Sequence, residues 1–533
     1  MSQRFLKIKN FKNIGITKEE DQWERLYLNN SLDKDKIGEL IILIGENNVG
    51  KSNILDAINT MRESTIFRNF KNCLPDFRGY NDCLPKLKLV YKDDENNSYD
   101  LEVIIDEYGK AKLIDNIANK GVIKEKYDID FIPNIFFYIG YHRIEDKELI
   151  TTPKKIKDSK FFNSLFKAIN YRTSIITTAY EKDKKTRGHK DQYQDTINKK
   201  LEEIVNKKFN ELYFQDLGTQ KYNFSIKLEK DEIYLSIEKN GDIIALSQQS
   251  VGFKWFFNFF FNFLYTNELK AGDIVLMDEP EIHLSIPGRR DLRKFIKKFA
   301  KDTGITFIAT THNPSFVDID YLDELRIIKN NKDGIGVKIQ SNFSALADDE
   351  VDTLDSIINS FGILRSDLTR EYKIIFVEGI TDYNYLTAFK LLYNKDKEDK
   401  KEYDKKLNIV FIPIYGLGKD GNEMEKKLDK LIQFKDAILL TDGDTRGNAF
   451  KKLCDNEKLK GRLTVIQLTE IENSFKNIEN LFAQSDKEKF KDIIENKGIE
   501  KSSPFKNSIA QLELDAKTIE NFNKVLKYLN EMS

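Results

Sequence analysis

The segment ELIILIGENNVGKSN, residues 39–53, decides the fold of the first half of this chain. Consecutive apolar residues from Leu40 to Ile44 read as a buried strand, and the stretch NILDAINTMRE that follows reads as a helix. Between them, Gly45, Glu46, Asn47, Asn48, Val49, Gly50, Lys51 and Ser52 match G-x-x-x-x-G-K-S. The glycines let backbone N–H groups wrap phosphates, and the next helix turns its positive end toward them. Lys51 is placed to reach the outer phosphates of ATP, and the Ser52 hydroxyl to ligate Mg²⁺. Strand, loop and helix occur in the order this chemistry needs, so Gly45, Asn47, Asn48, Gly50, Lys51 and Ser52 are the expected nucleotide-binding residues.

Two later strands supply the rest of an ATP site. DIVLMDEP (273–280) is an apolar run ending in Asp278 and Glu279. Asp278 is expected to hold Mg²⁺ through water, and Glu279 to orient or deprotonate the attacking water. An acidic turn after a core strand is common by itself; beside a phosphate loop it gains meaning. ITFIATTHNP (305–314) ends another buried strand, and His312 could contact the γ-phosphate and report its presence.

A chain of 533 residues exceeds one ordinary core, so two or three domains are expected. Lys plus Arg (86) nearly balances Asp plus Glu (87), so any nucleic-acid groove must be local. Cys73, Cys83 and Cys454 have the spacing of neither a zinc cluster nor a disulfide framework, which points to a reducing, cytoplasmic setting. MSQRFLKIKN carries no apolar signal core. WFFNFFFNFLY (255–265) is too short to span a bilayer and is interrupted by Asn258 and Asn262, so it reads as a buried helix and no membrane partner is expected. RFLKIKNFKNIG reads as a strand and its return strand. KDKKTRGHK (182–190) could touch DNA phosphates but suits an exposed, solvated loop better.

A second α/β pattern begins near residue 371. IIFVEGITD (374–382) is a strand ending in Glu378 and Gly379, with Asp382 in the first turn of the next helix. AILLTDGDTRG ends another strand with Asp442 and Asp444. Parallel strands of an open sheet present their C-terminal ends along one rim, where ligands bind. Four carboxylates on that rim repel one another unless a divalent cation joins them, and oxygen-only ligands suit Mg²⁺ or Mn²⁺. Helix capping accounts for each acid singly, but not for both placements in one sheet.

RFLKIKNFKNIG, GENNVGKSN, DEPEIHL and TTHNP together resemble the RecF and SMC branch of ABC-type ATPases. That resemblance implies a signature segment in ALSQQSVGFKWFF (245–257), with Ser250 and Gly252 facing nucleotide, although its wording departs from L-S-G-G-Q. The glutamate after one strand and the D-x-D after another resemble a Toprim domain. The combined order resembles OLD (overcoming lysogenisation defect) family nucleases. This implies an α/β chain: an ABC-type (RecF/SMC-like) ATPase domain with a helical insertion, then a Toprim domain. The expected boundaries are 1–145 and 216–345 for the two ATPase halves, 146–215 for a helical, dimerising insertion, 346–370 for a connector, and 371–533 for the Toprim unit. The resemblance further implies Glu479 in IENLF as a fifth metal ligand, with Glu472 second, and Lys506 as an oxyanion stabiliser, with Lys501 the alternative. Gly416 and Gly418 would form a close-approach turn, and His283 would support the ATP site; His142 and His189 have no assigned partner.

The function implied is an ATP-regulated, divalent-metal-dependent DNA endonuclease in anti-phage defence. ATP and Mg²⁺ (or Mn²⁺) are the expected cofactors. DNA, a second copy of the chain in a homodimer or larger oligomer, and an accessory helicase or reverse transcriptase are the expected partners. A non-nuclease, DNA-binding ATPase of repair or recombination is the competing expectation. A topoisomerase or primase would need a positioned tyrosine or further modules that the chain does not display.

Overall fold

The computed structural model describes residues 2–32, 38–61, 73–80, 82–92, 98–105, 111–115, 133–138, 144–186, 188–213, 221–264, 269–331, 334–340, 373–414, 416–418, 420–432, 437–454, 463–494 and 499–532. The expected connector 346–370 and His142 lie outside them, as does the Lys501 side chain. The chain divides into two compact units interleaved in sequence: Met1–Asp33, Ile41–Asn119 and His312–Ser533 form one, and Lys34–Leu40 with Lys120–Thr311 the other.

The first unit contains an antiparallel sheet ordered Glu24–Leu32, Ser2–Lys9, Lys86–Lys92, Ser98–Ile105, Ala111–Asp115. Ser2–Lys9 lies between two antiparallel neighbours. The return strand expected inside RFLKIKNFKNIG is instead a tight turn closed by a single Phe11–Ile14 bridge. Asn10 and Lys12 have positive φ there, which breaks extension; the returning strand is Glu24–Leu32. The phosphate-loop strand Leu40–Ile44 runs parallel to Leu325–Asn330, which pairs in turn with Val337–Gln340.

The same unit holds a four-stranded, wholly parallel sheet ordered Ile409–Pro413, Lys373–Val377, Ala437–Thr441, Leu463–Gln467. Its strands are near-continuous apolar runs, as buried parallel strands require. Ile374, Phe376, Val410, Ile412, Leu439 and Phe450 join in one core beside it. Helix Ile380–Asp399 packs on helices Ile499–Ser508 and Ala516–Glu531, with the Phe389 and Phe522 rings stacked at 3.7 Å.

In the second unit, Ile274–Asp278 lies between parallel strands Ile135–Tyr138 and Thr306–Thr310. A hairpin, Tyr222–Leu228 with Ile233–Lys239, packs on a helical stretch that includes Lys160–Ala168, Ser174–Lys185, His189–Lys200 and Lys207–Tyr213. Phe256, Phe257, Phe259, Phe260, Phe261 and Phe263 of the aromatic run are buried, as expected, on α-helix Val251–Asn258 and the π-helical turn Phe259–Leu264 that continues it. Phe256 and Phe259 meet Phe295 edge-on, at 5.0 and 5.8 Å between centroids. Asn258 sits in this apolar helix at no polar loss, since its Oδ1 accepts the Ile144 N–H at 2.5 Å and its Nδ2 donates to Lys254 O at 2.7 Å. Among the described residues no helix is long and apolar enough to cross a membrane.

Candidate functional site

At the phosphate loop, Gly50 caps helix Lys51–Asn59 with φ 107°, a conformation that favours glycine. A Cβ there would stand 2.7 Å from Asn13 Nδ2. Asn13 belongs to the FKNIG turn and braces the loop: its Nδ2 donates to Val49 O at 3.0 Å and its Oδ1 accepts from Asn53 at 2.9 Å. Lys12, next to it, pairs with Asp56 at 2.5 Å. No spacing rule marks either residue, although both lie within FKNIG. Lys51 is 5 % exposed and donates to the carbonyls of Gly45 (2.8 Å) and Glu46 (2.9 Å). Its ammonium also stands 3.3 Å from His312 Nδ1. The structure thus brings the loop lysine and the predicted sensor histidine together.

In the second unit, Asp278 accepts a short hydrogen bond from the Thr310 hydroxyl, whose oxygen accepts the Glu279 N–H at 3.0 Å. Glu279 has φ 45°, left-handed backbone that a side chain adopts only at a cost. Thr310 therefore fixes the turn that aims both acids. Two residues on, Glu281 is 2 % exposed and bonded by the Thr311 hydroxyl. Burial first, then the charge of Glu279, pushes its carboxyl up to about 7. Ser250 is the N-cap of helix Val251–Asn258, accepting the Phe253 N–H at 3.2 Å, and Gly252 leaves open space around its Cα. Ser250 thus opens a helix as expected, with its hydroxyl committed to the cap.

The second group of acids sits at the ends of neighbouring strands. Val377 pairs with Leu440, so Glu378 and the Asp442–Asp444 turn leave the sheet side by side. Glu378 Oε1 accepts the Asp442 N–H at 2.8 Å. Asp382 Oδ2 accepts the Gly379 N–H at 2.8 Å, closing the first turn of helix Ile380–Asp399. Asp444 Oδ1 accepts the Gly447 N–H at 2.8 Å and so caps Thr445–Cys454. Gly447 allows this approach; a Cβ there would meet Asp442 O at 2.3 Å. Gly443 N–H donates to Lys476 O at 2.9 Å, which carries the Glu479 segment to the same turn. The Gly416 N–H donates to Glu378 O at 2.7 Å.

These carboxyls feel one another. Burial, then Asp442 and Asp444, pushes Glu378 up to about 7; the Arg446 guanidinium opposes this. Burial, then Asp442, Glu378 and Glu479, pushes Asp382 up to about 8, against the Gly379 hydrogen bond. Such a set of oxygen donors fits the chemistry of a hard divalent cation, which would relieve the repulsion. As placed, however, each carboxylate of this set that has a described bond turns toward a backbone N–H. Among the described residues no group of three or more His, Cys, Asp or Glu side chains is arranged to hold a metal ion.

Two predicted residues lie elsewhere. Lys506, expected to stabilise an oxyanion, is 1 % exposed and bonded to Asp323 Oδ1 at 2.6 Å. Ser503 and Asn507 donate to the other oxygen of Asp323 at 2.7 and 2.8 Å. The charge of Lys506 is committed to a buried ion pair, which replaces the predicted role. Glu472, second to Glu479, pairs with Lys524 at 2.6 Å, which holds its carboxyl below the usual range.

The family model described as "AAA domain, putative AbiEii toxin, Type IV TA system" matches residues 134–318. No curated protein matches the sequence. Among solved structures, the SMC head domain from Thermotoga maritima is similar at 14 % identity and TM-score 0.33, covering 63 % of this chain and 98 % of that one. The SmcHead bound to the C-winged helix domain of ScpA gives 15 %, 0.36, 64 % and 99 %. The Smc head domain bound to a ScpA domain derived from Pyrococcus furiosus gives 15 %, 0.35, 64 % and 97 %. The chain therefore carries an AAA-type ATPase domain within an α/β fold.

Proposed function

We propose that this chain is an ATP-regulated, divalent-metal-dependent DNA endonuclease serving in defence against phage. The observation that carries the reading is the adjacency of Glu378 and the Asp442–Asp444 turn at the C-terminal ends of neighbouring parallel strands. Phosphodiester hydrolysis needs charge neutralised at the scissile phosphate, and a bound divalent cation supplies that Lewis-acid chemistry. Glu378, Asp382, Asp442 and Asp444 would hold it, with Glu479 completing the set. The raised affinity of Glu378 and Asp382 for protons without a cation is what members of such a ligand set should show.

The ATP site has a separate task. Lys51 would exchange the Gly45 and Glu46 carbonyls for phosphate oxygens, and His312, already beside it, would respond to the γ-phosphate. Asp278 and Glu279 keep the roles their strand-end positions suggest. The segment after His312 is bonded to helix Ile380–Asp399, through Lys390 on Asp320 at 2.5 Å and Tyr383 OH on Ile319 O at 2.7 Å. That continuity supports regulation of the acidic site by nucleotide.

The experiment is cleavage of supercoiled DNA with Mg²⁺ or Mn²⁺, with and without ATP, by the wild type, Lys51→Ala, Glu279→Gln and Asp442→Ala. Asp442→Ala should lose cutting while hydrolysing ATP, and the other two should lose ATP turnover but keep the cutting centre. Equal cutting by all four would defeat the proposal.

A second reading has an observation in its favour: the acids do not form a closed metal site as placed. Under it the chain is a DNA-binding ATPase without nuclease activity, and no protein in the panel cuts with either cation.

A further inference from the structure

The antiparallel sheet of the first unit carries a concentration of positive charge that the ATP and acidic sites do not use. Phe5, Lys7, Arg25, Lys88, Val90 and Lys92, with Ser98 and the single carboxylate Asp100, line an open groove of about 190 Å³ on one of its faces. The register sets the cations against one another. Lys7 lies directly opposite Arg25 on one neighbouring strand and Lys88 on the other. Like charges so placed on one face destabilise a sheet. The Lys7 ammonium is correspondingly held below the usual lysine range, by burial first and then by Arg25 and Lys88. Lys92 and Arg25 each stand 5.9 Å from the Phe5 ring centroid, so the cations flank one apolar floor.

The sheet's own carboxylates answer only part of this charge. Asp100 and Glu102 both bind Lys88, at 2.8 and 3.2 Å. Among the described residues neither Lys7 nor Lys92 has a carboxylate within ion-pair distance. Folding alone gives no reason for cations in like-charge register around a groove; an anionic occupant does.

We propose that this face, through Lys7, Arg25 and Lys92, docks the phosphate backbone of double-stranded DNA. The occupant follows from charge complementarity: the groove is open, its cations spread over three adjacent strands, and a duplex presents a continuous row of phosphates. Such contacts fix position without reading sequence. The inference rests on the proposed function only in naming DNA as the polyanion. It places the contact on this sheet rather than on the basic stretch 182–190.

The test is binding of a fluorescein-labelled duplex to the full chain by anisotropy, in EDTA so that no cutting occurs, across a salt series. The triple variant Lys7→Gln/Arg25→Gln/Lys92→Gln removes repulsion, so it should fold, and its ATP hydrolysis should match the wild type. Loss of about three phosphate contacts should lower the slope of log affinity against log salt by roughly 2.7 and weaken binding at least ~10-fold at low salt. Unchanged affinity and slope would overturn the proposal. So would failure of the wild type to bind duplex, or binding of poly-glutamate but not DNA through these residues. If the wild type cuts DNA and the triple variant binds it normally, this proposal falls and the nuclease stands. If neither protein cuts and only the wild type binds, the nuclease falls and this surface stands.

Discussion

Lys51 holds its ammonium between two loop carbonyls and 3.3 Å from His312 Nδ1, so one substitution tests both the loop and its proposed sensor. Lys51→Ala should reduce ATP hydrolysis by ~10²-fold or more with the fold retained, read by phosphate release and circular dichroism. A pH test falls on Glu281. Its folded carboxyl titrates at about 7 against an ordinary 4.5, so folding takes up a proton. The stability this group allows is complete below 4.5 and is lost as pH rises through 7. Glu281→Gln should therefore gain on the wild type between pH 5 and pH 8, by on the order of 2–3 kcal/mol, read as a difference in thermal midpoints. A gap that does not change with pH would refute the assignment. Lys51 and Glu378 were legible in the sequence because each follows an apolar strand in a fixed pattern. Asn13 and Thr310 were not, since their work is to brace a backbone far along the chain, and no spacing rule marks that.

At the scale of elements, the ion pair of Asp323 with Lys506 ties the segment before strand Leu325–Asn330 to helix Ile499–Ser508. Breaking one partner of a buried pair costs about 3–5 kcal/mol, more than the net worth of the pair. Lys506→Met should destabilise by that amount, and Asp323→Asn added to it should recover part, by denaturant unfolding. Loss of DNA cutting with unchanged stability would restore Lys506 to the chemistry. The strands of both α/β sheets could be placed from their apolar runs. The turn at residues 10–15 could not, because FKNIG alternates like a strand while positive φ at Asn10 and Lys12 folds it back. Lys506 was placed by resemblance alone, and only packing reveals its aspartate 183 residues away.

For the molecule as a whole, an ATPase domain and a proposed phosphodiester site in one chain demand that their losses separate. The order of motifs made both α/β patterns visible, because each motif is local. What spacing could not supply is how the carboxylates are disposed, since that depends on backbone N–H groups that compete with a cation for the same oxygens. Glu378, Asp382, Asp442 and Asp444 are proposed to bind one divalent ion together. Mn²⁺ titration followed by electron paramagnetic resonance, near pH 8 and without nucleotide, tests it independently of any DNA substrate. The wild type should bind Mn²⁺ at a site that Asp442→Ala and Glu378→Gln each weaken by ~10-fold or more, while Asp278→Asn leaves that site intact. Equal Mn²⁺ binding by the wild type and Asp442→Ala would contradict it.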